Sequence, residues 1–141
     1  MFSKACKYAI RAVLYLAVHS DPDHKLGARE IAEALEVPKP YLAKILQQLS
    51  RHNLISSSKG TGGGFYLNEN GQQVSLRDII TCIDGEDPFS ACILGLPVCS
   101  SENPCPLHDK AMTYRKGLSE LVENQSIAAF AGKIVRKKLT L

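Results

Sequence analysis

Two short apolar-periodic segments joined by only three residues, with a glycine-dense stretch directly after them, restrict the folds open to this chain more than any other feature. Gly27 to Leu35 reads as a short helix with Ile31, Ala32 and Leu35 inward and Glu30 beside its first-turn amides. Glu36-Val37-Pro38 is a tight connection. Pro40 then fits the first turn of a second helix, where its missing donor costs nothing, and Leu42, Ile45, Leu46 and Leu49 form the buried face. Lys44, Gln47, Gln48 and Arg51 fall on the other faces. Such a pair, basic and polar on the exposed side of its second member, reads as a helix-turn-helix.

After this pair, Leu54-Ile55 and Phe65-Tyr66-Leu67 are β-prone runs on either side of Ser56 to Gly64. We expect a hairpin whose glycines, Gly62 and Gly63 among them, allow positive φ and close approach of the backbone to another surface, with Lys59 as the charge at the tip. Upstream, Ala9, Ile10, Val13, Leu14, Leu16 and Ala17 make a helical stripe from about Ser3 to Ser20, ended by Asp21-Pro22-Asp23. Its basic start and the short apolar run Ala12 to Val18 imitate a signal peptide, but Ala17-Val18-His19 is a poor cleavage site. No segment approaches the length of a membrane span, so a membrane role is not expected.

Ser75 with Asp78 forms a capping-box pattern for a helix carrying Leu76, Ile79, Ile80 and Ile83 inward. From Glu86 to Pro106 periodicity stops and prolines, small residues and cysteines take over, which predicts a loop needing an outside constraint. A long helix follows, with Leu107, Ala111, Tyr114, Leu118 and Leu121 at about seven-residue spacing, a narrow seam suited to a second copy of the chain. Ser126 caps a last short helix expected to run through Phe130, with Arg136-Lys137-Lys138 as a basic tail. The fold class expected is mainly α with a small β wing. Residues 1–85 form the winged helix-turn-helix unit, 86–106 a cysteine-bearing sensor loop, and 107–141 the dimerisation helix and tail.

A net charge of +3 over 141 residues says little by itself about nucleic acid. Its distribution says more: Val37 to Asn68 contains no Asp or Glu, yet includes Lys39, Lys44, Arg51 and Lys59. Tyr41 and Lys44 occupy the first turns of the reading helix. We expect Tyr41 to touch phosphate unless it packs into the core, Lys44 or a glutamine to reach a base edge, and Lys59 to meet the adjacent backbone or minor groove. An enzyme is not expected. No nucleophile–base pair or carboxylate dyad appears, and Gly60 to Gly64 precedes a strand, which is the wrong context for a phosphate-binding loop.

Five cysteines are an odd number for a disulfide framework; Cys92, Cys99 and Cys105 crowd together, while Cys6 and Cys82 stand apart and read as packed thiols. This pattern points to a metal or redox site in a reducing, cytoplasmic compartment. Three closely spaced thiolates can converge on one centre, and His108 is the nearest candidate for a fourth ligand. Cys92-x6-Cys99-x5-Cys105 lacks the paired knuckles of zinc ribbons. Two alternatives stay open from the residues alone. One is a cluster-free regulator of the same fold that answers to thiol oxidation or a protein partner; the other is a zinc-dependent module for single-stranded RNA or protein.

The chain resembles the Rrf family of bacterial winged-helix regulators, whose members include regulators of iron–sulfur biogenesis and cysteine metabolism and a nitric oxide sensor. The resemblance runs over nearly the whole chain and is carried by Tyr8-Ala9-Ile10-Arg11-Ala12, Ile31-Ala32, Tyr41-Leu42, Lys59-Gly60-x-Gly62-Gly63-Gly64-Phe65 and the three cysteines. It implies a homodimer on a partly palindromic double-stranded operator, with Tyr41, Lys44 and Lys59 at DNA-contacting positions. It also implies an iron–sulfur cluster on Cys92, Cys99 and Cys105. Some members draw a carboxylate ligand from the first helix, but this helix has no Asp or Glu before Asp21, which turns the expectation to His108 and a 2Fe-2S centre. The pattern departs from the family in two places. The first cysteine gap is one residue longer than the common five, and Ala43 replaces an acidic residue used in site discrimination.

Overall fold

In the computed structural model, which describes residues 1–141, helix α1 (Lys4–His19) begins where the Ser3 hydroxyl accepts a hydrogen bond from the Cys6 amide. Cys6, Ala9, Ala12, Val13, Leu14 and Leu16 are buried along it, and the small alanines let other helices approach closely. The helix-turn-helix pair follows as α2 (Ala28–Leu35) and α3 (Lys39–Arg51). Between them Glu36 turns left-handed at φ 56°, at a cost of roughly 1–2 kcal/mol for a residue with a Cβ. Burial of Val37, only 5% exposed, and two carbonyls accepting from the Glu36 amide offset that cost.

Strands β1 (Ser56–Ser58) and β2 (Gly64–Tyr66) pair antiparallel, Ser57 opposite Phe65. The first strand therefore lies beyond the apolar run Leu54-Ile55 rather than on it. Ile55 and Leu67 are instead core residues that pin the base of the hairpin. The serines, with no apolar area to bury, extend it outward. Leu26 supplies a third, single-residue rung, exchanging two backbone hydrogen bonds with Phe65 at 2.9 and 2.7 Å.

A short turn of helix, α4 (Glu69–Gln72), capped by the Asn68 side chain, leads to α5 (Leu76–Asp84). Ser75 and Asp78 close the expected capping box at the start of α5. Another helical turn not anticipated from the sequence, α6 (Asp87–Ser90), opens the cysteine loop. Helix α7 (His108–Glu123) and α8 (Ile127–Lys137) complete the chain. Helix α8 is longer than expected. Ile127, Ala131 and Ile134 continue its inward stripe past Phe130, so Arg136 and Lys137 form its last turn and Lys138 its left-handed cap at φ 52°. The basic residues are thus not a tail.

Helix α1 is the hub, packed against α8, α5, α3 and α2. Helix α7 differs: of 16 residues it buries only His108, Ala111 and Val122. Leu107, Tyr114 and Leu121 of the seven-residue seam, and Met112 beside it, are 42–60% exposed. No helix is long and apolar enough to cross a membrane.

Candidate nucleic-acid interface and metal centre

The outer face of α3 presents Tyr41, Lys44, Gln47 and Arg51 to solvent. Tyr41 is 39% exposed; its ring meets the edge of Tyr8 at 5.7 Å and 81°, and the Lys4 and Arg11 side chains lie within 6 Å of the Tyr8 ring. The phenol is therefore both propped from below and open above. Gln48 is placed differently from its neighbours. Its amide donates to the Cys82 carbonyl at 2.9 Å and ties α3 to the last turn of α5.

Between α3 and the wing lies a cleft of about 460 Å³ lined by Gln47, Ser50, Arg51, Ser57, Ser58 and Lys59, with Gly64 and Phe65 at its back. The Ser50 and Ser57 hydroxyls, 3.0 Å apart, span its floor. Lys44, Arg51 and Lys59 take part in none of the three ion pairs of the chain, Arg29–Glu33, Arg77–Glu86 and Arg77–Glu123. Unneutralised cations around a polar groove without carboxylates attract a polyanion. At the tip, Gly60 and Gly62 take φ of 86° and 76°, while Gly63 folds back so tightly that a Cβ would sit 2.4 Å from the Ser58 carbonyl.

The second site is built by the loop after α6. The Gly95 amide turns back to the Cys92 carbonyl, Ser100 and Asn103 exchange backbone bonds, and the His108 amide caps onto the Cys105 carbonyl. These three turns fold Cys92, Cys99 and Cys105 inward until their sulfurs lie within 4.8 Å of one another. Cys92 and Cys105 approach to 3.8 Å, and Cys99 Sγ lies 3.2 Å from His108 Nδ1. His108 is 7% exposed, and its Nε2 is buried without a hydrogen-bond partner. The Leu96 amide, reinforced by that of Leu94 and by the neighbouring sulfurs, pulls the Cys92 thiol down to about 7. The Cys105 amide acts the same way on Cys99, but desolvation and the two adjacent sulfurs outweigh it and push that thiol up.

Cys6 and Cys82 stay outside the cluster as packed thiols. Burial and the Asp84 carboxylate push Cys6 up to about 12, and burial raises Cys82. Sequence reasoning missed the arginines around the loop. Arg115 of α7 donates to the Ala91 carbonyl at 2.6 Å, directly before Cys92. Arg77 of α5 pairs with Glu86 and Glu123, bonds Ser119 and stacks 4.1 Å over Phe89. Neither carries a local pattern, because the partners meet only in the fold.

Residues 2–133 match the Rrf2 family, described as iron-dependent transcriptional regulators. The chain belongs to the Rrf2 family. Among Rrf2-type relatives, the HTH-type transcriptional repressor NsrR of Streptomyces coelicolor is 31% identical over 121 residues, 86% of this chain and 76% of the relative. Two solved structures share the fold. CymR, the global cysteine regulator of B. subtilis, superimposes with a TM-score of 0.75 at 21% identity, covering 94% of this chain and 97% of CymR. IscR of T. potens gives 0.76 at 20% identity, covering 100% and 93%. The mainly helical fold with a two-stranded wing is thus that of the winged-helix regulators.

Proposed function

We propose that the chain is a homodimeric transcription regulator that grips a partly palindromic DNA duplex through α3 and the wing, with an affinity set by an iron–sulfur cluster. In this reading Cys92, Cys99 and Cys105 hold the cluster and His108 is the fourth ligand of a 2Fe-2S centre. One observation carries it: three half-buried sulfurs gathered within 4.8 Å, beside a buried imidazole whose second nitrogen is unpartnered. The donor set is soft, three thiols and an imidazole with no carboxylate among them, which suits iron–sulfur or zinc chemistry better than a hard cation. The family's iron dependence favours iron. Bound there, a cluster supplies reversible electron transfer and reactivity toward oxidants and nitric oxide.

The chain's own residues supply the coupling. Arg115 fixes the backbone before Cys92, and Arg77 ties α6 to α5 and α7. The Cys82 carbonyl at the end of α5 holds Gln48 of the reading helix. A rearrangement of the loop thereby shifts the population of DNA-competent α3 orientations. Residues 1–85, 86–106 and 107–141 act as reader, sensor and dimer arm.

On DNA selected by the wild-type protein from a random library, Lys59→Ala should weaken binding and lower the salt slope by about one phosphate contact. Lys44→Ala should change sequence preference instead. Binding that ignores salt in both proteins would contradict the electrostatic reading. The exposed α7 seam predicts that Leu121→Asp, at a position 60% exposed in the protomer, leaves helix content intact but drives the sedimenting species to monomer. An unchanged dimer would place the interface elsewhere.

A further inference from the structure

An open cavity of about 600 Å³ lies between the start of α1, α6 and α7, bordered by Phe2, Asp84, Asp87, Tyr114 and Arg115, and Cys92 is the one cysteine on its wall. Of the three loop sulfurs, Cys92 and Cys105 face each other at 3.8 Å, while Cys99 is engaged by His108 Nδ1 at 3.2 Å. The segment joining Cys92 to Cys99, Ile93 to Val98, is exposed throughout, so little packing resists the further approach that an S–S bond of about 2.05 Å requires. Cys6 is fully buried and Cys82 borders a different cleft.

From this arrangement we propose that in the metal-free chain Cys92 is the entry point for a small disulfide and Cys105 its resolving partner, so that oxidation closes a Cys92–Cys105 bond and spares Cys99. In the first step Cys92 Sγ, having given up its proton, attacks the small disulfide RSSR; a Cys92–S–SR bond forms and one RS⁻ leaves. Cys105 Sγ then attacks Cys92 Sγ and expels the second RS⁻. The two thiol protons end on the two released RSH molecules. The protein sulfurs lose two electrons and the small disulfide gains them. The open cavity of about 600 Å³ in front of Cys92 admits a small aliphatic disulfide, and cystamine serves as the probe.

The consequence is a reversible gate on metal loading. Two of the three sulfurs are withdrawn until a thiol reductant reopens them. The idea concerns the metal-free chain and holds whatever metal the sulfurs take, so its test is separate from that of the cluster.

The experiment treats full-length, chelator-stripped, reduced protein, its helix content checked by circular dichroism, with cystamine, then alkylates the remaining thiols. Cleavage after Glu102 separates the Cys105 peptide from the one carrying Cys92 and Cys99, and fragmentation locates each sulfur. The expected result is loss of alkylation at Cys92 and Cys105 with Cys99 alkylated, all reversed by dithiothreitol. In Cys105→Ser the cysteamine adduct should accumulate on Cys92. Pairing that involves Cys99, a first adduct on Cys99, or alkylation of all three thiols after cystamine would each overturn the proposal.

Discussion

Anaerobically prepared Cys99→Ser protein should be colourless and retain almost no iron, whereas the wild type should be coloured, and the metal-free forms of the two should melt at the same temperature. The contrast follows from where Cys99 lies. Its sulfur is one of three that converge within 4.8 Å and the one that meets His108, so losing it removes a ligand and strands the imidazole beside a harder hydroxyl that binds iron poorly. The residue itself belongs to an exposed loop outside the contiguous core, so the fold gives up little. Cys82→Ser supplies the opposite pattern: that side chain packs against the core, so the variant should keep its iron and lose some stability. Equal iron per chain in Cys99→Ser and wild type would remove the metal centre from this loop.

Helical period made α1, α2, α3 and α5 legible in the sequence, because each buries a stripe wide enough to show as a repeat. Capping was equally readable where a side chain commits the backbone, as at Ser75 with Asp78. What period could not see was length set by tertiary contact. Helix α8 continues past Phe130 because α1 offers it a surface, and the four-residue turns α4 and α6 are too short to show a stripe. In the wing, Phe65-Tyr66 does lie in the second strand, but the first strand is formed by serines beyond the apolar pair Leu54-Ile55 that marked it. β-propensity finds residues that suit a half-buried surface, whereas here Ile55 and Leu67 serve the core and the ladder runs beyond them.

The two candidate sites were unequally readable for the same reason. The cysteine spacing identified which residues could converge. Their approach depends on three backbone turns, at Gly95, Ser100 and Cys105, that no ligand count reveals. Of the residues read from the sequence as DNA contacts, Gln48 has its side-chain amide turned inward to Cys82. Polarity on a helix face looks alike whether its partner is a base or a carbonyl from the next helix. Arg77 and Arg115 were invisible for a related reason: their partners come from elements distant in the chain.

Gly64→Ala should cost DNA affinity about thirtyfold or more while leaving the helical spectrum unchanged, and the reason lies in the rung that seats the wing. Gly64 sits at φ 148°, where a side chain is strained, and a Cβ built there would lie 2.7 Å from the Leu26 carbonyl oxygen and 2.9 Å from its carbon. Those atoms cannot yield. The Leu26 side chain is 2% exposed in the core, and its backbone holds Phe65 through two hydrogen bonds. Strain and overlap together cost roughly 2–6 kcal/mol, against the roughly 1–3 kcal/mol that the two hydrogen bonds of the Leu26–Phe65 rung return. The wing must therefore detach from Leu26, carrying Lys59 and the cleft wall with it, while the core built on α1 persists. Gly60→Asn is the matched control. It has open space around its Cβ, a φ of 86° that Asn tolerates better than most residues, and no rung to break, so its affinity should fall only slightly. Faster hydrogen exchange at the Leu26 and Phe65 amides in Gly64→Ala would locate the lesion, and wild-type affinity in that variant would mean that the wing does not have to be seated on Leu26 for DNA to bind.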